Sequence, residues 1–355
     1  MRRFALLGLL AGCDLVLGLP ARPPGFHKTV TITPSATEML ADFPVSILLD
    51  DADLAARARP DGNDIHFATL DGDLLPHELV SYAGGKLEAW VKVTLAGPTT
   101  IDLRYGGNVV TSSRSAVWLP RAEAVWHVAE TADTLDDSTE QHPLRALTAA
   151  RNPVVAPGMI GNGRMFTDVA DDAMRHAMCA FGTDVMMLGT ESFAYSAWLQ
   201  IASLPPGAGG NSFDHPFHTG GTNDNSAGFG LEITQNVISA NVGDDTRHAG
   251  LVFNQLPLGT WTHFAAIVDR PGTTISTFVD GVPTNSVSFA ALIPSTSAIT
   301  TSRRICLGSI VGGYSGALDE VRVYRGVITA AWIDAEVDNV KDRASFVVLG
   351  TEVRN

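Results

Sequence analysis

Basic residues are scarce in this chain. Lys and Arg number 24 against 38 Asp and Glu, a formal charge of −14. An acidic surface repels phosphate backbones, which argues against nucleic acid as a partner and leaves a surface able to hold cations. Periodic helical runs are few. Thirty-four glycines and 19 prolines punctuate short segments instead, the pattern of many strands and turns. There is no G-x-S-x-G, no H-E-x-x-H and no phosphate-cradling glycine loop, so the sequence offers no motif for those hydrolase or nucleotide-binding chemistries. Charged residues make up only 17% and apolar ones 45% of 355 residues, which argues against disorder and allows two domains with sizeable cores.

Cysteine is almost absent, with only Cys13, Cys179 and Cys306. Arg2 and Arg3 precede an apolar run at 4–10 that is far too short to cross a bilayer as a helix. The arrangement fits an export signal. Leu10-Ala11-Gly12-Cys13 resembles the lipobox of bacterial lipoproteins, which implies lipidation at Cys13, membrane anchoring, and a periplasmic or cell-surface location. Residues 1–25 then form signal and tether, with Pro20, Pro23 and Pro24 in the tether. Cys179 and Cys306 remain as an even pair. In an exported protein they are either bridged or, since both lie in apolar runs, two small buried hydrophobes.

The most legible stretch is residues 259–281, GTWTHFAAIVDRPGTTISTFVDG. Residues 261–269 and 274–279 are rich in β-branched and aromatic side chains, with Pro271 and Gly272 between them, and predict a hairpin. Asp280-Gly281 supplies a tight turn into a third strand, 282–289. Trp261, Ala265 and Ile267 lie on one face of the first strand and Phe264, Ala266 and Val268 on the other. A strand apolar on both faces belongs inside a layered structure.

W-T-H-F-A-A-I-V-D followed by F-V-D-G resembles the laminin-G-like, concanavalin A-like jelly rolls. So does Gly316-Ala317-Leu318-Asp319-Glu320-Val321-Arg322-Val323-Tyr324, and so do Ser192 to Leu199 and the strand beginning at Gly158. The resemblance implies an all-β jelly-roll sandwich over 119–355, closed by a short helix with Thr329 as N-cap.

Residues 26–118 predict a separate, small antiparallel sandwich, with strands at 28–33, 43–49, 65–69, 88–94 and 100–105 and turns at Asp61-Gly62, Asp71-Gly72 and Gly84-Gly85. Leu87, Ala89, Val91 and Val93 alternate with Glu88, Trp90, Lys92 and Thr94, a strand with one buried face. Asp42-Phe43-Pro44-Val45, Leu75-Pro76-His77-Glu78-Leu79 and Ala89-Trp90-Val91-Lys92-Val93 resemble a bacterial family of unknown function found ahead of such jelly rolls. Asp64, His66, His77 and Glu78 are its clustered titratable groups, read as solvated strand ends or as an acid/base or metal site.

Strand alternation puts Asp319 on the face of Val321 and Val323. A carboxylate there must be paired, hydrogen-bonded or coordinated. Oxygen ligands suit calcium, with Asp171 and Asp172 as co-ligands; the competing reading is a carboxylate that accepts backbone N–H groups. The polar stretch 205–228 carries Asp214, His215, His218 and Asp224, too few close ligands for a transition-metal site. As a rim loop it presents Phe213, His215, Phe217 and His218 to a sugar ring. Met174, His176, Met178, Met186 and Met187 read as core filling.

These readings converge on a non-catalytic, exported, lipid-anchored binding module for a glycan or an envelope or host component. The alternatives are a carbohydrate-active enzyme on the same fold and a purely structural envelope protein. Concanavalin A-like hydrolases resemble E-x-D-x-x-E on one strand, and no such motif occurs here.

Overall fold

The computed structural model describes residues 25–168, 175–182, 184–205, 213–219, 227–234, 237–253, 256–299, 304–309 and 313–355. Among these, every strand pairing is antiparallel and four sheets form. The first unit contains β1 (Phe26–Ile32), β2 (Leu40–Asp50), helix α1 (Ala52–Arg57), β3 (His66–Ala68), β4 (His77–Ala83), β5 (Lys86–Leu95) and β6 (Thr99–Tyr105). One sheet runs β2-β5-β4, and the other carries β1, β6 and β3. The helix was not expected. It starts because the Asp51 side chain accepts from the Asp53 and Leu54 amides, which have no partner within the first turn.

After the short helix α2 (Ser115–Trp118) come β7 (Ala122–Trp126), β8 (Thr134–Leu135), β9 (Leu144–Ala146), β10 (Val154–Pro157), β11 (Asn162–Phe166), β12 (Ala177–Ala180) and β13 (Phe193–Ile201). Then follow β14 (Asp214–His218), β15 (Gly228–Ile233), β16 (Ile238–Gly243), β17 (His248–Phe253), β18 (Thr262–Asp269), β19 (Thr274–Val279), β20 (Val282–Ser288), β21 (Cys306–Gly308) and β22 (Gly316–Arg325). The front sheet runs β10-β11-β22-β13-β18-β19-β20, with β7 also on β22. The back sheet runs β17-β16-β15-β14-β21-β12-β9-β8. Trp126, Phe193, Tyr195, Phe217, Phe229 and Phe264 fill the space between them. This is the all-β, concanavalin A-like jelly roll that the sequence predicts. Thr273, Asp280 and Gly281 take the positive φ angles of the two hairpin turns (48°, 50° and 83°).

Helix α3 (Ala330–Lys341) begins at Thr329, whose side chain accepts from the Trp332 amide at 3.1 Å. Trp332, Ile333, Ala335 and Val340 belong to the same core cluster as the first unit, together with Ala194, Trp198, Ala265 and Tyr324 from the outer face of the front sheet. That face is therefore covered by α3 and the first sandwich. Residues 89, 91 and 93 of β5 are buried as the alternation requires, yet Trp90 and Glu88 on the opposite face are buried too. The jelly roll covers them, which no period-two pattern within β5 can show.

The expected boundary of the second unit at 119–355 needs one correction. After α4 (Arg343–Phe346), strands β23 (Val347–Leu349) and β24 (Val353–Arg354) leave the jelly roll and pair with β1, Val30 opposite Leu349 and Phe26 opposite Arg354. Tyr105 donates to Glu352 Oε2 at 2.9 Å, adding a side-chain tie between this tail and β6.

Candidate functional site: the cleft between the two units

A cleft of about 800 Å3 opens where the first sandwich meets the jelly roll. Its walls come from β4, the loop at 109–114, the segment that follows β7, and the turn before β11. Five carboxylates line it, on Glu78, Glu88, Glu130, Asp136 and Glu140, against Arg114, His77 and His127. No lysine lines it.

At the rim one arginine serves two carboxylates. Arg114 reaches Asp136 Oδ2 at 3.2 Å and Glu140 Oε1 at 3.4 Å. Deeper in, Glu78 is held by three donors: the Trp118 indole N–H at 2.7 Å, the Ser138 hydroxyl at 2.8 Å and His127 Nε2 at 3.3 Å. Burial alone would raise its pKa. The His127 charge and these hydrogen bonds outweigh burial and hold Glu78 below the usual carboxylate value. His127 in turn is opposed by burial but bracketed by Glu320 and Glu78, which raise its pKa well above that of free imidazole. His77 has no such partner. Burial lowers it, and its Nδ1 donates to the Leu75 carbonyl at 2.8 Å.

Glu88 has the opposite environment. Burial, then the Glu320 carboxylate, push it up to about 7. Its Oε1 has no hydrogen-bond partner among the described residues, and Oε2 receives only a 3.5 Å contact from the Ser81 hydroxyl. Gly161 lies against it, at φ +53°, where an added Cβ would come within 2.6 Å of Glu88 Oε2. Both the backbone angle and the close approach call for glycine there. Glu130 also keeps Oε2 unpartnered, while its Oε1 accepts from the Asp136 amide at 2.7 Å.

An ionic chain runs from this cleft through the unit boundary. From His127 it passes to Glu320 (2.7 Å), Arg322 (2.7 Å) and Glu336 of α3 (3.0 Å), where the Tyr324 hydroxyl also donates. The Arg322 guanidinium lies 4.5 Å from the Trp90 ring centroid, a cation–π contact with the first unit.

A bulge creates this arrangement. Glu320 has φ +48°, and the pairing of β13 with β22 shifts between Ser196 and Trp198. One extra residue places Asp319 and Glu320 together on the outer side, while Leu318, Val321 and Val323 all enter the sandwich core. The expectation that Asp319 shares a face with Val321 and Val323 is thereby corrected. Asp319 is fully buried; its Oδ2 accepts from the Ile160 amide at 2.9 Å, and Oδ1 has no partner among the described residues. Burial, then Glu320, push its pKa well above the ordinary range. Asp171 and Asp172, its expected calcium co-ligands, lie outside the described residues, as does Cys13. Among the described residues no three His, Cys, Asp or Glu side chains converge on a metal position.

The expected sugar-stacking residues do not form a rim loop. Residues 214–218 are strand β14 inside the back sheet, so Phe217 points into the core opposite Leu231 and Leu307. His215 is buried as well, with Phe213 edge-on at 5.0 Å, the His218 ring at 4.9 Å and Glu232 Oε2 3.5 Å from its Nε2. Phe217 is thus corrected from ligand contact to core. Asp224 lies outside the described residues. Asp64, expected at a solvated strand end, is buried and accepts from the Arg59 and Gly106 amides at 2.9 and 2.7 Å. Glu78, expected beside it, belongs to the cleft. Cys179 and Cys306 face each other across β12 and β21 and are joined by a disulfide.

With this geometry in hand, the second unit has a family match. Residues 177–334 match the laminin-G model described as the concanavalin A-like lectin/glucanases superfamily. No curated protein matches. Among solved structures, the binding domain of Paraclostridial Mosquitocidal Protein 1 is similar at 11% identity and a TM-score of 0.47, over 61% of this chain and 52% of that one. The Botulinum Neurotoxin serotype G binding domain is similar at 12% identity and a TM-score of 0.46, over 61% and 50%. Ruminococcus gnavus IT-sialidase CBM40, solved with alpha2,3 sialyllactose, is similar at 14% identity and a TM-score of 0.34, over 41% and 83%. The chain thus spans about half the length of the two toxin binding domains.

Proposed function

We propose that the protein is an exported, lipid-anchored glycan-binding module whose site is the cleft between its two units. The carrying observation is the cleft itself: about 800 Å3 between two sandwiches tied by the buried Glu78–His127 ion pair, lined by five carboxylates and by hydroxyls of Ser81, Thr111, Ser112, Ser113 and Ser138. Sugar hydroxyls are donors in closely spaced sets, and a preformed pocket holds them at low entropic cost. The superfamily match over residues 177–334 is in keeping with this. The Cys179–Cys306 disulfide fits an oxidising compartment, which supports export. Lipidation at Cys13 and a glycan or envelope or host surface as partner complete the proposal.

A glycan array probed with the full chain tests it. Retained glycans without new reducing ends support the module, and an array with no retained glycan sinks it. Mass spectrometry of the membrane-extracted protein checks for a diacylated Cys13 peptide.

A second reading is favoured by one observation. Glu78 sits opposite Trp90 across β4 and β5, so Glu78 and Glu88 share a face and both line the cleft. One is held below the ordinary carboxylate range and the other raised to about 7. Such a split assigns one base or nucleophile and one acid in glycoside hydrolysis. Release of reducing ends from a polysaccharide, lost in both Glu78→Gln and Glu88→Gln, would establish the enzyme in place of the module.

A further inference from the structure

We infer that the cleft selects a saccharide carrying a free amino group, its ammonium seated against Glu88. This rests on the reading of the cleft as a glycan site and adds the ligand's chemical class.

The charges of the cleft are unevenly answered. Asp136 and Glu140 share Arg114 at the rim. Glu78 has His127, whose charge is divided with Glu320. Arg164 comes up behind Glu130 but gives its guanidinium to the carbonyls of Glu130, Ala132 and Pro153. Glu88 has no cation within ion-pair distance among the described residues, is 8% exposed, and keeps one carboxyl oxygen without a donor. The groups that face it are Glu78 from β4, Glu320 and Asp319 from β22, and His127 after β7; three of the four are acidic. A buried carboxyl with an unfilled acceptor and acidic neighbours is stabilised by a donor that also brings positive charge. A neutral hydroxyl supplies the hydrogen bond without the charge. A sialic acid or uronic acid brings the wrong sign into a half-enclosed space, where repulsion is poorly screened.

Isothermal titration calorimetry of the full chain with three probes tests this: a glucosamine trimer, its fully N-acetylated counterpart, and sialyllactose. The expected result is binding of the amine at least tenfold tighter than the acetylated trimer, with no measurable binding of sialyllactose. The wild-type preference needs no variant. In Glu88→Gln, which keeps the shape of the side chain, the ratio of amine to acetylated-trimer affinity should fall to about one. Equal or tighter binding of the acetylated trimer, or of sialyllactose, overturns the inference and leaves the glycan site standing. An amine preference that persists in Glu88→Gln overturns the assignment to Glu88. Failure of all three probes to bind overturns the site and the inference together.

Discussion

His127 Nδ1 and Glu320 Oε1 stand 2.7 Å apart, with the other side of the imidazole against Glu78 of the first unit. One ring thus bridges carboxylates from both sandwiches. Its raised pKa gives a sign to the pH dependence. The folded state keeps a proton that the unfolded chain loses near pH 6.5. This stabilisation is complete below about pH 6.5 and is lost as pH climbs through the raised value. Glu78 and Glu336 act in the opposite sense, since their lowered values make stability fall as pH drops below about 4.5. The melting temperature should peak at about pH 5 to 6 and decline toward pH 9. In His127→Asn the melting point should be lower, and its decline above pH 6.5 should flatten; an unchanged slope would exclude His127 as its source.

Glu88 is the residue whose neutralisation should stabilise the fold. Its carboxyl is raised to about 7, so the native protein holds a proton across roughly pH 4.5 to 7 that the unfolded chain has released. Ionisation above that range therefore weakens the fold. Glu88→Gln should gain on the order of 2 kcal/mol at pH 8 and almost nothing at pH 4.5, read from urea midpoints at the two pH values.

Asp319 separates a proton from a metal. If its carboxyl is neutral and serves the Ile160 amide, Asp319→Asn keeps the acceptor and should cost less than about 1 kcal/mol, whereas Asp319→Leu, which leaves that amide unpaired, should cost about 2 kcal/mol or more. Both should melt alike in calcium and in chelator. A wild-type melt raised by calcium, with the rise lost in Asp319→Asn, would show that the ion is bound there.

The Cys179–Cys306 bridge closes a separation of 127 residues. In the chain-entropy account such a loop adds about 5 kcal/mol, somewhat less when the same strands are already paired. Melting with and without reductant should show the loss, and the double variant Cys179→Ala/Cys306→Ala should reproduce the reduced value.

The hairpin of β18 and β19, the Asp280-Gly281 turn and the Thr329 cap were legible because each is set by local chemistry, through β-branched runs, positive φ and a side-chain acceptor. Four features were not legible, for separate reasons. Residues 214–218 contain Pro and two His, so a core strand resembles a loop. The bulge at Glu320 moves Asp319 to the other face through one backbone angle that alternation cannot register. Asp137 reads as a turn residue in Asp136-Asp137-Ser138-Thr139, yet it is buried and accepts from the amides of Val125, Thr139, Gln141 and His142, tying the loop to β7. The cleft joins residues from β4, β5, the segment after β7 and the turn before β11, and only the packing of one sandwich on the other assembles it.

The pairing of β1 with β23 imposes an order on biosynthesis. A ribosome delivers β1 early and β23 some three hundred residues later, so the first sheet waits with an open edge while the jelly roll is made. A strand left unmatched for that long is a target for chaperones and for other nascent chains. Shortening the chain after α3 would make that open edge permanent, and the first casualty would be the amino-terminal sheet, far from the cut in sequence.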